Sequence, residues 1–235
     1  MPGKFFHPEH SPRNGYFRRN NSLDREMKFL ETFIRDPKSV SQPTAPVVFI
    51  VGPPRTGTTF LHQLLAASEA FAYPSNLMSR FPNRPFFGAR LHELLFADRL
   101  RFGDEFIDLP AFSWTSPLES KLGKTLGASA PSAYWYFWHD SVQFDGNHWQ
   151  ITSPRTLEKK FSDLQSGFEG RPLVMKGGIA NFCLDELLEV VGERAYFLRI
   201  ARDPVETMDS IWRARVEYFS NEFEWWGFPV PGSTS

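Results

Sequence analysis

Apolar residues in this chain fall into short unbroken runs that alternate with stripes of helical spacing. Val47 to Val51 form one such run; a turn of Gly52, Pro53, Pro54, Arg55, Thr56 and Gly57 follows. Phe60, Leu61, Leu64 and Leu65 then recur as one face of a helix. Arg171 to Lys176 and Ala195 to Arg202 read as two further strands, followed by helices around 181–191 and from Asp203 onward. At the last of these, Asp203 is the predicted N-cap, Pro204 takes the first helical position and Glu206 completes a capping box. Buried-looking strands alternating with helices predict an α/β fold, a three-layer sandwich whose central parallel sheet is flanked by helices.

The rest of the chain is less regular. Residues 1–21 read as an arm, and 22–35 as a helix with Ser22 at its N-cap and Leu30, Phe33 and Ile34 on one face. Residues 36–46 form a linker. Phe71 to Tyr73 suit a short strand, and Pro74, Pro82 and Pro85 break the segment after it. Leu91, Leu94, Leu95 and Leu100 predict a helix over 88–101, 102–130 read as mostly loop, and 131–143 and 155–165 read as helices. The expected organisation is an N-terminal arm and helix (1–45), one domain (46–220) and an irregular tail (221–235) ending in Pro-Val-Pro-Gly-Ser-Thr-Ser.

Composition narrows the function. A chain of 235 residues can bury a sizeable core. Its net charge of −1 argues against bulk electrostatic binding to nucleic acid or an anionic membrane, so an anionic ligand has to be caught by local placement of Arg and Lys. The single Cys183 fits a reducing compartment. The first residues have no apolar core of the secretory kind, and no apolar run approaches the length of a membrane span; a soluble cytoplasmic protein is expected. The 24 Phe, 7 Trp and 6 Tyr read first as core. Clusters at 112–116, 134–140 and 223–228 also suit a pocket for an apolar or aromatic acceptor.

A strand, a glycine loop and a helix in succession aim backbone N–H groups and the positive end of a helix dipole at one point, where phosphate or a close relative binds. This is the layout of a P-loop-type fold, yet the Walker pattern would place Lys at position 58, and the residue is Thr58. The cation stands inside the loop, at Arg55, which weighs against nucleoside triphosphate chemistry. Ligands of open parallel sheets gather at the carboxyl ends of the strands, where Arg55, Lys176 and Arg202 all fall. Ser210, about two turns into the last helix, adds a hydroxyl.

Three segments carry a resemblance: Pro-Pro-Arg-Thr-Gly-Thr-Thr (53–59), Leu-Val-Met-Lys (173–176) and Phe-Leu-Arg-Ile-Ala-Arg-Asp-Pro-Val-Glu-Thr-Met-Asp-Ser-Ile-Trp (197–212). Over roughly 46–215 the chain resembles sulfotransferases that use 3′-phosphoadenosine 5′-phosphosulfate (PAPS). The form of its loop is similar to the branch found in bacteria and in the Golgi tyrosylprotein group. The resemblance implies that Pro54, Arg55, Thr56, Gly57, Thr58 and Thr59 wrap the 5′-phosphosulfate. It implies that Arg55 offsets charge on the leaving phosphate with Lys176 as a second catalytic cation, and that Arg202 and Ser210 hold the 3′-phosphate. It further implies transfer to a hydroxyl or amine of a small molecule, lipid or glycan, 3′,5′-adenosine bisphosphate as product, and no need for a metal. Nucleic acid is not an expected partner; oligomeric state is left open.

Two departures from that pattern stand out. The cytosolic branch places a catalytic His two residues after the strand-end Lys, where this chain has Gly178. The tyrosylprotein branch places an acidic base some twenty residues after the loop, where this chain has Pro74, Ser75 and Asn76. The general base therefore falls among Glu119, Asp104, Glu105, His139, His148 and His62, with Glu119 preferred. Relatives also continue past the 3′-phosphate helix, so this chain is either a compact branch or a C-terminally shortened one. A non-catalytic nucleotide-binding module and a P-loop kinase or NTPase are the competing readings; Thr58 and the lack of an evident Walker B carboxylate weigh against the second.

Overall fold

The computed structural model describes residues 21–34, 43–97, 120–121, 123–145, 148–220 and 222. Its centre is a three-stranded sheet in the order β6-β1-β7, where β1 is Val47–Val51, β6 is Leu173–Lys176 and β7 is Ala195–Arg199. Both pairings are parallel, with Val47 opposite Leu173 on one side and Ala195 on the other. All three strands thus deliver their carboxyl ends to one edge.

Side chains alternate across a strand, so the register divides the sheet into two faces. On one, Phe49 lies beside Met175 and Phe197. This face packs on α4 (Trp135–His139), α5 (Pro154–Gly167) and α6 (Leu184–Val191) through Trp138, Phe161 and Leu187, all buried in the main core. The Phe49 ring meets Phe161 edge-on at 5.7 Å and stacks on Phe197 at 5.5 Å. Truncating so central a ring to alanine costs about 3–5 kcal/mol. On the other face, α2 (Thr58–Ala67) runs along β6 and covers Val174 and Ile50. Tyr196 and Leu198, the β7 residues of that face, remain 55% and 40% exposed. The molecule is an α/β fold with a central parallel sheet flanked by helices.

Several sequence expectations are corrected. The inward side of α2 is His62, Gln63 and Ala66 with Thr59 above them, while Phe60 and Leu64 are exposed. Bonds from Thr59 to neighbouring elements set the rotation of this helix, and 59, 62, 63 and 66 follow the same i, i+3, i+4, i+7 rule two residues out of phase with the apolar stripe. Helix α1 spans Asn21–Glu31, so Ser22 lies inside it; Leu30 and Phe33 are exposed, and the helix is held through Glu31, which accepts from Asn83 and Arg84. At 71–73 only Ala72 bridges to Leu173, because Pro74 cannot donate to a ladder.

The helix expected over 131–143 is the short α4 followed by a hairpin, β4 (Val142–Phe144) with β5 (Trp149–Ile151). The stretch 102–130, expected to be loop, contains a second small hairpin, β2 (Ser120–Lys121) with β3 (Lys124–Thr125). Helix α3 spans Pro85–Phe96 and packs on α5, which spans its expected range. Within 134–140, Tyr134, Phe137 and Trp138 are core. Residues 1–20 of the expected arm, 98–101 of the helix expected over 88–101, 102–119 of the expected loop, including the aromatic cluster at 112–116, and the cluster at 223–228 lie outside the described residues. Among the described residues, no helix is long and apolar enough to cross a membrane.

Candidate anion-binding site

β1 ends against the sheet edge and the chain turns sharply into α2. Three positions of this turn have positive φ: Gly52 at 147°, Arg55 at 69° and Gly57 at 102°. The first peptide is clamped by Asn181, in the short 3-10 helix after β6: the Gly52 N–H donates to Asn181 Oδ1 at 2.7 Å, and Asn181 Nδ2 donates to the Gly52 carbonyl at 3.2 Å. Thr56 turns inward and donates to the Pro53 carbonyl at 2.8 Å. Gly57 occupies the N-cap of α2 and supplies no side-chain acceptor, so the first N–H groups of the helix face the loop's concavity without a side-chain cap.

Cations converge on this loop from two flanks. On one, α7 (Pro204–Phe219) follows β7 and starts at Asp203, whose carboxylate accepts from the N–H groups of Val205 and Glu206. Half of the expected capping box is therefore present. Glu206 does not complete it, pairing instead with Arg202 at 2.9 Å. Arg202 also reaches the Arg55 carbonyl at 3.4 Å, and Arg55 Nε donates to Ser210 Oγ at 3.2 Å. Arg202, Glu206, Asp209, Ser210 and Arg213 line an open concavity of about 320 Å³.

On the other flank, Lys176 at the end of β6 donates to Thr59 Oγ1 at 2.7 Å, and that hydroxyl donates to the Gly123 carbonyl at 3.3 Å. Burial, with Lys124 and Arg55 nearby, pulls the Lys176 ammonium down to about 8. Burial likewise lowers Lys124 to about 8. Beneath them His62 is buried, and its imidazole is pushed down to about 3 by burial and by Lys176, against a hydrogen bond with the Val174 backbone. It is neutral at ordinary pH and sealed from solvent, which does not suit a base that must meet an incoming acceptor.

The structure thus brings Arg55, Thr56, Gly57, Thr58, Thr59, Lys176, Arg202 and Ser210 to one sheet edge, with Pro54 exposed at the loop's outer turn. Of the other proposed bases, His148 is exposed in the connection between β4 and β5, and His139 is the last residue of α4. Glu119, Asp104 and Glu105 lie outside the described residues. Asn181 and Lys124 belong to the site and are missing from the sequence expectations. Neither sits in a recognisable motif, and their contacts span long stretches of chain; the one hint is that Asn181 closely follows the strand-end Lys176.

Chemically, the site can hold an anion of more than one charge. Lys124 and Arg55 both disfavour the charge on Lys176, and an anion bound beside it offsets their effect. No curated protein and no solved structure matches the chain. The profile of the sulfotransferase family matches residues 46–231, which span the sheet, the loop and α7. The chain belongs to the sulfotransferase family.

Proposed function

We propose that the protein moves a sulfuryl group from 3′-phosphoadenosine 5′-phosphosulfate to a hydroxyl or amine acceptor. The observation that carries this reading is Arg55, which sits in the phosphosulfate loop yet donates to Ser210 of α7, so that one residue ties the loop to a second cationic flank. A donor with phosphate at both the 5′ and 3′ positions matches two such flanks; a nucleoside triphosphate needs only one. The donor set fits it: loop N–H groups, Arg55 and Lys176 for the 5′ end, Arg202 and Ser210 for the 3′-phosphate.

The donor supplies an activated sulfuryl group when bound; the chain supplies position and charge. Loop N–H groups and Thr56 to Thr59 fix the 5′ end in line with an acceptor arriving at the open edge. Arg55 and Lys176 face the oxygen on which negative charge grows, where preorganised cations act most strongly. Lys176 gives up its bond to Thr59 to do so, and Arg202 exchanges Glu206 for phosphate. The acceptor proton is assigned to Glu119, which immediately precedes β2. The class of acceptor is a small molecule, lipid or glycan.

The test is transfer from labelled donor to a panel of hydroxylated and amine acceptors. Labelled product is expected with the wild-type protein and a loss of roughly 100-fold or more with Arg55→Ala, the scale for removing one charge-stabilising donor. Binding of 3′,5′-adenosine bisphosphate with no transfer to any acceptor would instead mark a nucleotide-binding module.

A further inference from the structure

The proposed function gives Lys124 of the β2–β3 hairpin no ligand to hold, yet the hairpin tip is set against the loop. Gly123, at φ +80°, turns its carbonyl onto the Thr59 hydroxyl at 3.3 Å. A Cβ at this glycine would lie 3.3 Å from Thr59 Oγ1 and 3.9 Å from Arg55 Nη1, so the turn touches both the loop and its cation. On the other side of Lys124, Thr125 is pinned by Asn76, whose Nδ2 donates to the Thr125 carbonyl and hydroxyl, each at 3.2 Å, and to the Gly127 carbonyl at 2.9 Å. Lys124 is therefore held between two anchored neighbours. It lies on the Thr59 and Lys176 flank of the loop, away from the Arg202 and Ser210 flank.

We propose that Lys124 is a further binding residue, a second ammonium that with Lys176 grips the sulfate-like end of the donor, the group to be transferred. This rests on the function proposed above. If the 3′-phosphate engages the α7 flank, the group beyond the 5′-phosphate extends to the flank carrying the hairpin. The electrostatics agree with this placement: burial lowers both ammonium groups, and the charge of Lys124 is among those that lower Lys176 further, so the two side chains lie within electrostatic reach of each other.

The experiment compares two ligands that differ only at that end, the sulfated donor and 3′,5′-adenosine bisphosphate, by titration calorimetry on the full chain. For Lys124→Gln we expect the donor to weaken by about tenfold or more, the loss of one charge-assisted contact, while the bisphosphate stays within about threefold. Lys124→Arg should restore most of the donor affinity, and it serves as the folded control should Lys124→Gln melt early. Equal weakening of both ligands, or none of either, overturns the assignment of Lys124 and leaves the proposed function standing. Failure of the wild-type protein to bind either ligand overturns both.

Discussion

Replacing Gly52 with alanine tests whether loop and sheet edge are one rigid unit. Gly52 has φ +147°, a conformation that L side chains rarely adopt. An added Cβ would lie 2.6 Å from the Ile200 carbonyl oxygen and 3.5 Å from Thr56 Oγ1. The contacted oxygen is backbone, and its own residue is fixed because the Ile200 N–H donates to the Val51 carbonyl at 2.9 Å. Relief requires either parting β7 from β1 or shifting Gly52 off Asn181. Backbone strain of about 1–3 kcal/mol joins an overpacking cost of about 1–3 kcal/mol. At roughly 2–4 °C per kcal/mol for a domain of this size, melting should fall by about 5–20 °C. Ile200 lies two residues before Arg202, so affinity for 3′,5′-adenosine bisphosphate should fall as well. Gly57→Ala is the control: nothing lies within 4 Å of its Cβ, so only the strain of φ +102° remains. Calorimetric melting and titration read both effects. A Gly52→Ala protein melting within about 2 °C of wild type, or a Gly57→Ala protein equally damaged, would refute the reasoning.

Two further outcomes rest on the same contacts. Asn181→Ala removes both bonds to Gly52 and the one to the Gly178 carbonyl, and should cost about 1–3 kcal/mol in stability; chemical denaturation measures it, and an unchanged midpoint would contradict the clamp. Lys176 is held at about 8 against an ordinary 10.5 by burial, Lys124 and Arg55, with neutral His62 facing it from α2. The unfolded chain then binds more protons between pH 8 and 10.5, so the free protein should gain stability as pH rises through that window, by up to about 3 kcal/mol for one such lysine. Affinity for the bisphosphate should fall over the same range, because the protonated ammonium binds anions; opposite trends in melting and titration are the signature, and parallel trends would contradict it.

The sheet and loop are legible in the sequence because their signals are local: unbroken apolar runs at 47–51 and 173–175, and glycines where the backbone turns to positive φ. Asp203 and Pro204 likewise announce α7. The features that stay hidden depend on partners distant in sequence. The rotation of α2 is set by Thr59 bonding Lys176 and Gly123, which overrides its apolar stripe and leaves Phe60 and Leu64 in solvent. Glu206 has the spacing of a capping partner, but Arg202 one turn away offers a full charge, a stronger attraction than a backbone N–H. Strands of two or three residues, as in both hairpins, are too short to show alternation, so Lys124 has no pattern to mark it. Asn181 works through two bonds to a backbone it meets 129 residues away in sequence.

The proposed function requires this loop and α7 together to hold a nucleotide bearing a 3′-phosphate. Titration of wild-type and Arg202→Ala proteins with 3′,5′-adenosine bisphosphate and with 5′-ADP measures that directly. The wild-type protein is expected to prefer the bisphosphate by roughly 100-fold, as two contacts from Arg202 and Ser210 would give, and Arg202→Ala to lose most of the preference. Equal affinity for the two nucleotides, or a preference unchanged by Arg202→Ala, would contradict it.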